Sequence, residues 1–357
     1  MIRVLVVDDS EVYRLFLRGI LSHEKDIEIV SMASNGRLAL PRVHHYKPEI
    51  ILLDYDMPEM DGLAAIPEFK RLSPQSRIIM FSSHTRKGAK LTIDALQLGA
   101  DEFITKPSEA LVGGNAESLR LKLLERIRAF TTPELARADN RLASPGAPNA
   151  VQRDGLADWQ GAGRKSKHFR YCAIGISTGG PPALRKLFSA LPKDLQGSIF
   201  VVQHMPPLFT AQLAESLGES SPLKILEAKN GMVPEAGTVY IAPGGKQMRL
   251  RSNEKAEKHI VVEESEPQEL CKPSVNILFH SFAEICPEET LAIIMTGMGE
   301  DGYAGMKELS SKGAYLMAQK ADDCVIFGMP AKPIRDGIVH EIHPVEGLAA
   351  QITEYLR

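Results

Sequence analysis

Residues Gly175 to Pro182 read Gly-Ile-Ser-Thr-Gly-Gly-Pro-Pro directly after the apolar run Tyr171-Cys172-Ala173-Ile174. An apolar run ending in a glycine-rich turn predicts a strand that leads into a helix, with Ser177 at the sharp turn between them. A serine hydroxyl there projects from the carboxyl end of a parallel sheet, and the next amides point from a helix N-terminus toward developing negative charge. The same geometry cradles phosphate, so this segment alone allows either a serine nucleophile or an anion-binding loop. A serine nucleophile needs a base, and the base needs an orienting acceptor. Among ten histidines, His204 lies in Val201-Val-Gln-His-Met-Pro206-Pro207, just past a second apolar run. Asp301, in Met295-Thr-Gly-Met-Gly-Glu-Asp-Gly302, follows a third. Alone, His204 reads as an ordinary surface or core histidine and Asp301 as a helix N-cap. Three strand ends carrying Ser, His and Asp on one sheet edge make a triad far more credible than any member does.

A second constellation lies in the first third of the chain. Asp8 and Asp9 follow the apolar run 2 to 7, Asp54 follows Ile50-Ile-Leu-Leu, and Lys106 stands before Pro107 after a later run. The first and third strand ends are neighbours in a doubly wound sheet, so these carboxylates converge. Such a set binds a hard divalent cation through oxygen, and Mg²⁺ in turn offsets the charge of an incoming phosphoryl group. Singly, Asp9 would be a helix cap, Asp54 a turn residue and Lys106 a solvated strand end.

The elements that must position these residues are legible as alternating patterns. Apolar runs at 2–7, 27–32, 49–53, 77–81 and 102–105 alternate with amphipathic segments, a five-fold βα pattern that builds a parallel sheet covered by helices. Leu119, Leu121, Leu123, Leu124, Ile127 and Phe130 close it as a last helix. From about Thr131 to Lys167, prolines, glycines and mixed charge read as a linker, in which Pro133-Glu-Leu-Ala-Arg would form a short helix. Further runs at 171–176, 198–203, 238–242, 291–295 and 314–318 begin a second α/β domain, into which Lys246 to Glu264 inserts a β-hairpin. The expected domains are thus 1–130, a linker 131–168, and 169–357. A chain of 357 residues suits two domains plus a connector.

Composition narrows the function. A net charge of -3 gives no reason to expect nucleic-acid binding, and no apolar stretch is long enough to cross a bilayer, so a soluble cytoplasmic protein is expected. Cys172, Cys271, Cys286 and Cys324 lack Cys-x-x-Cys spacing and read as buried free thiols rather than a disulfide framework or zinc site. A monomer is expected.

Asp8-Asp9, Asp54-Tyr-Asp-Met-Pro58 with Met60-Asp-Gly62, Ser82-Ser83 and Phe103-Ile-Thr-Lys106-Pro107 resemble the receiver domain of two-component response regulators, a flavodoxin-like (βα)5 fold. The resemblance implies that Asp54 is the phosphoacceptor and that Asp8, Asp9 and Asp54 hold Mg²⁺. It implies further that Lys106 contacts the phosphoryl oxygens, that Ser82 hydrogen-bonds the phosphoryl group, and that Phe103 is the aromatic switch position. Asp56 competes as acceptor, but it lies beyond the strand end, and the Asp-x-x-Met-Pro register selects Asp54.

Ser-Thr-Gly-Gly-Pro at 177–181, Gln-His-Met-Pro-x-x-Phe-Thr at 203–210, Val-Tyr-Ile-Ala-Pro-Gly-Gly at 239–245, Met-Thr-Gly-Met-Gly-x-Asp-Gly at 295–302 and Val-Ile-Phe-Gly-Met-Pro at 325–330 resemble the chemotaxis protein-glutamate methylesterase family, CheB type. The resemblance covers nearly the whole chain apart from the linker. It implies a phosphorylation-activated esterase with Ser177 as nucleophile, His204 as general base then acid, and Asp301 as orienter. Thr178 and Met298 would form the oxyanion site. Methyl-accepting chemotaxis receptors would be the substrate and a chemotaxis histidine kinase the phosphodonor, with no cofactor in the catalytic half. Deamidation of receptor glutamine is chemically plausible as well, and the unphosphorylated receiver would cover the catalytic cleft until Asp54 is phosphorylated.

Four positions depart from the family pattern: Cys271 and Asn276 in Cys271-Lys-Pro-Ser-Val-Asn276 where His-x-Pro-Ser-Val-Asp is common, Gln247 where a histidine is common, and Ile176 where a small residue is usual. They bear on receptor choice and deamidation rather than on the triad. Cys271 as an alternative thiol nucleophile is set aside, because no strand-end turn presents it. Two other readings compete. Gly-x-Ser-x-Gly also admits an α/β-hydrolase with chain order Ser177, Asp301, then His340 or His343. The other is a non-catalytic scaffold whose output half only binds a receptor or another protein.

Overall fold

A computed structural model describes residues 1–82, 85–106, 116–131 and 168–357. Ser83, Pro107 and the expected linker with its short helix, Thr131 and His168 excepted, lie outside the described residues. The chain divides into two compact units, taken separately below.

In the first, β1 (Ile2–Val7), β2 (Ile27–Ala33), β3 (Ile50–Asp54), β4 (Arg77–Ser82) and β5 (Glu102–Thr105) form an all-parallel sheet in the order β2-β1-β3-β4-β5. Strands buried on both faces read as continuous apolar runs, and Val4–Val7 and Ile50–Leu53 are buried without interruption. Helices Glu11–Leu21, Gly36–Tyr46, Gly62–Leu72, Arg86–Leu98 and Ala116–Thr131 alternate with the strands. Ser10, Asn35, Asp61 and Thr85 cap the first four of these with side-chain oxygens, so the cap before Glu11 is Ser10 and not Asp9. The last helix buries Leu119, Leu123, Leu124 and Ile127 and leaves Leu121 exposed. Register places the acids: Val7 pairs with Leu53, so Asp8 and Asp54 leave the sheet side by side.

The second unit is built on a seven-stranded parallel sheet. Its strands are β6 (Tyr171–Ile176), β7 (Ser198–Gln203), β8 (Lys224–Glu227), β9 (Thr238–Ile241), β12 (Thr290–Ile294), β13 (Tyr315–Gln319) and β14 (Glu341–His343), in the order β14-β13-β12-β6-β7-β9-β8. Between β9 and β12 in the chain, β10 (Lys246–Ser252) and β11 (Lys258–Glu264) form the expected antiparallel hairpin. Met248, Leu250 and Ile260 of the hairpin join the core with Phe279 and Phe282 of helix Val275–Ile285, each large side chain contributing about 1.5–3 kcal/mol of burial. The sequence pattern did not signal β8 and β14. Both are short edge strands with charged ends, paired on one side only, so they lack the apolar run that marks an interior strand.

The fully buried β6 is central, flanked by β12 and β7. Strand order reverses around it, and in open α/β sheets the crevice at such a switch point, at the carboxyl ends, takes the ligand. Ile176 pairs with Gln203, so Ser177 and His204 emerge next to one another. On the other side Gly175 pairs with Ile294, and the Ser177 amide donates to Thr296 O at 2.9 Å, bringing the 295–302 loop alongside.

Candidate active site and phosphoacceptor site

Ser177 occupies the turn between β6 and helix Gly180–Ser189, buried to 7% exposure. Gly179 at φ +78° makes the turn, a conformation that costs glycine little. His204 is anchored at the next strand end by its amide, which donates to Ile176 O at 3.1 Å. Gln203, buried beside it, donates from Nε2 to Ser177 O at 2.9 Å and to His204 O at 3.3 Å, tying the two strand ends together.

His204 and Asp301 meet directly: Nε2 lies 2.7 Å from Asp301 Oδ2. Asp301 is held in turn by three further donors. Val275 N donates to Oδ2 at 2.7 Å, while Asn276 N at 3.0 Å and Ser274 Oγ at 2.9 Å donate to Oδ1. The first two are free amides at the start of helix Val275–Ile285, so a helix N-terminus stabilises the carboxylate. Asp301 is therefore not the N-cap of the helix it precedes, whose N-cap Gly302 makes no side-chain cap bond, but a partner of the N-terminus of a different helix. Burial would raise the Asp301 pKa, but the hydrogen bond and charge of His204 and the two amides outweigh it and hold the carboxyl below its usual range. For His204, burial opposes the charged form, but hydrogen bonds to Asp301 and Cys271 push the pKa up to about 9. No hydrogen bond joins Ser177 Oγ to His204, a contact that in unliganded hydrolases often closes only with substrate in place.

Thr178 and Met298 stand on the two loops that bracket Ser177. Thr296 Oγ1 donates to Thr178 O at 2.9 Å, and Gly297 approaches Ser177 so closely that an added Cβ would sit 2.7 Å from Ser177 Cβ and 2.3 Å from Met329 Sδ. The 325–330 segment locks this loop from behind, since the Gly328 and Met329 amides both donate to Gly297 O at 3.0 and 2.8 Å.

Residues that the chain order did not connect also reach the site. The Cys271 sulfur, which no strand-end turn presents, nevertheless lies within 4.8 Å of a His204 ring nitrogen and an Asp301 carboxylate oxygen. Its segment is clamped by buried Gln247, whose Nε2 donates to Cys271 O at 2.9 Å and whose Oε1 accepts from Ser274 N at 2.8 Å. Cys271, Gln247 and Asn276, three of the four departures from the family pattern, therefore gather beside the triad. By contrast, His340 and His343 belong to the far edge of the sheet. His340 Nδ1 accepts from Leu316 N at 3.0 Å, and His343 Nε2 pairs with Glu341 at 2.7 Å.

In the first unit, Asp8, Asp9 and Asp54 each present an oxygen within 4.8 Å of the others, with Asp8 and Asp54 buried and Asp9 exposed. Lys106 Nζ lies 2.8 Å from both Asp8 Oδ2 and Asp54 Oδ1 and 4.6 Å above the Tyr13 ring. Burial, then the neighbouring Asp8 charge, pushes Asp54 up to about 6 against the pull of Lys106. Burial also raises Asp8, again opposed by Lys106. The all-oxygen donor set of Asp8, Asp9 and Asp54, with Asp8 and Asp54 buried, fits Mg²⁺. Asp56 is exposed past the strand end and outside this group. Ser82 ends β4 with its hydroxyl turned away from an open role: it donates to Gly88 O at 3.1 Å and accepts from Thr92 Oγ1 at 2.6 Å. Phe103 is half-buried on β5.

A family model described as CheB methylesterase matches residues 172–352, and one described as response regulator receiver domain matches residues 4–112. The protein-glutamate methylesterase/protein-glutamine glutaminase of Bacillus subtilis (strain 168) is 39% identical over 364 residues, covering 100% of this chain and 99% of its own. The protein of the same name from Archaeoglobus fulgidus is 39% identical over 355 residues, covering 99% and 98%. The crystal structure of the Thermotoga maritima CheB methylesterase catalytic domain matches at 35% identity and a TM-score of 0.50, covering 52% of this chain and 98% of that one. No described helix is long and apolar enough to cross a membrane. With a receiver domain at its amino-terminal end and the Ser177 crevice within the matched second half, the chain belongs to the CheB methylesterase family.

Proposed function

We propose that this protein-glutamate methylesterase hydrolyses glutamyl methyl esters on methyl-accepting chemotaxis receptors through Ser177, His204 and Asp301. The observation that carries the assignment is the 2.7 Å contact of His204 Nε2 with a carboxylate held by three other donors, one strand away from Ser177. An ionised Asp301 accepts the Nε2 proton, which leaves Nδ1 as the basic nitrogen of the neutral ring. Ser177 Oγ attacks the ester carbonyl as Nδ1 takes its proton, and the imidazolium that forms is stabilised by Asp301. Amides at Thr178 and Met298 receive the developing oxyanion. The proton then passes to the leaving methoxide, methanol departs, and water repeats the sequence to free glutamate. A primary amide is close to the methyl ester in shape, so the same steps deamidate glutamine and release ammonia.

Asp54 is assigned as the acceptor of a phosphoryl group from a chemotaxis histidine kinase in the cytoplasm, with Asp8, Asp9 and Asp54 as the residues that would hold Mg²⁺. When bound, the cation offsets the negative charge of phosphoryl group and carboxylates during transfer. Lys106 then contacts the phosphoryl oxygens. Ser82 has to exchange its bonds to Gly88 and Thr92 for one to the phosphoryl group, and Phe103 reports that change at β5. In the unphosphorylated state the receiver restrains the esterase.

Methanol release from methylated receptor tests the reading. Wild type with a phosphodonor is expected to release methanol and Ser177→Ala to release none above background. Absence of release from phosphorylated wild type would favour a binding scaffold. Gly297 supplies a second check. A methyl group there has no room against Ser177 and Met329. Gly297→Ala is expected to cost about 1–3 kcal/mol of stability in thermal denaturation and to lower kcat by about 100-fold through displacement of Ser177.

A further inference from the structure

We propose that Cys271, His204 and Asp301 form a binding site for a borderline-soft divalent cation, Zn²⁺ above all, and that its occupation shuts the esterase off. One ligand atom from each, the Cys271 sulfur, a His204 ring nitrogen and an Asp301 carboxylate oxygen, lie within 4.8 Å of one another. Tetrahedral zinc with bonds of about 2.3 Å to sulfur and about 2.0–2.2 Å to nitrogen and oxygen needs ligand atoms roughly 3.3–3.6 Å apart. Small side-chain rotations reach that geometry. If Nε2 is the ligand, its 2.7 Å contact with Asp301 opens by about 0.6–0.9 Å as the metal replaces the shared proton.

The donor set decides the metal. Sulfur, imidazole and one carboxylate select zinc and its softer neighbours over Mg²⁺, whereas Asp8, Asp9 and Asp54 offer oxygen alone. The supports that a metal site requires are already in place. Ser274 and two amides orient Asp301, and buried Gln247 fixes Cys271 through its carbonyl. Binding exchanges the thiol proton for a sulfur–metal bond and releases one proton to solvent when the imidazole is neutral. If the metal takes Nε2, the ring proton shifts to Nδ1. If it takes Nδ1, the lone pair that would accept the serine proton is used. In both cases His204 no longer serves as base. The loss of activity rests on the assignment of His204 as base, but metal binding does not.

The full-length, metal-free protein titrated with Co²⁺ separates these. One equivalent is expected to give a near-ultraviolet thiolate-to-cobalt absorbance that Zn²⁺ abolishes. The band should be absent in Cys271→Ser and Cys271→Ala and intact in Cys324→Ser and Asp54→Asn, with circular dichroism confirming that each variant folds. In parallel, Zn²⁺ should lower methanol release at least tenfold and a chelator restore it. Cys271→Ser should raise the half-inhibitory Zn²⁺ concentration by at least the 10–100-fold that loss of a mere outer-shell partner costs. No cobalt band, or a band that survives loss of Cys271, overturns the site. A bound metal that leaves methanol release unchanged overturns the shut-off. A cobalt band in a protein that releases no methanol under any condition keeps the metal site and refutes the esterase reading instead.

Discussion

His204→Ala is expected to lower methanol release by about 10⁴-fold or more, while His340→Ala and His343→Ala stay within a few-fold of wild type. The first figure follows from the non-additive collapse of serine catalysis when its base is lost, the residue of rate coming from binding and the oxyanion site alone. The contrast follows from topology. His343 closes β14, and β13 and β12 separate that strand from β6, three strand spacings or about 14 Å in all. His343 is engaged by Glu341, and His340 accepts from Leu316 N and stacks on Tyr315 at 4.5 Å between centroids. Neither reaches Ser177, so the hydrolase order Ser177, Asp301, His340 or His343 fails on geometry. Kinetics of the three variants on methylated receptor check this, and a full-activity His204→Ala would remove the proposed base.

Asp54→Asn is expected to abolish phosphoryl incorporation from a small acyl-phosphate donor and to hold esterase activity at its unstimulated level when that donor is present. The carboxamide keeps the shape and the place beside Lys106, but it loses the anionic oxygen that attacks phosphorus. In wild type, phosphorylation adds about -1.5 to -2 charge where Lys106 now balances two carboxylates. Raising an active form from 1% to half of the population requires about 2.7 kcal/mol of differential stabilisation, within reach of such a charge change. Deletion of residues 1–130 should raise activity without any donor. Equal activity in full-length and shortened proteins would remove the restraining role, and labelling that persists in Asp54→Asn would point to another acceptor such as Asp56.

Much of this was legible along the chain because interior parallel strands and the turns behind them are local signals. The runs at 2–7, 171–176 and 198–203 coincide with β1, β6 and β7; Ser177, His204 and Asp8 follow their strands directly, and Asp54 is the last residue of β3. Edge strands were silent. Lys224–Glu227 and Glu341–His343 are held by pairing to a neighbour, and their own composition does not mark them.

The sequence by itself determined the two sheets, the strand-end positions of the acids, the serine and the histidine, and hence the class of chemistry at each edge, since hydrophobic runs and glycine turns act over a few residues. Only the tertiary structure decided what surrounds those groups. It brought the N-terminus of helix Val275–Ile285 onto Asp301 and pressed Gly297 against Ser177. It set Ser82 against Thr92, and it delivered Cys271 to His204 from a loop 67 positions along the chain. Apart from Ser82 with Thr92, those contacts join segments far apart in sequence, and close packing of the folded core, which no local pattern encodes, sets their geometry.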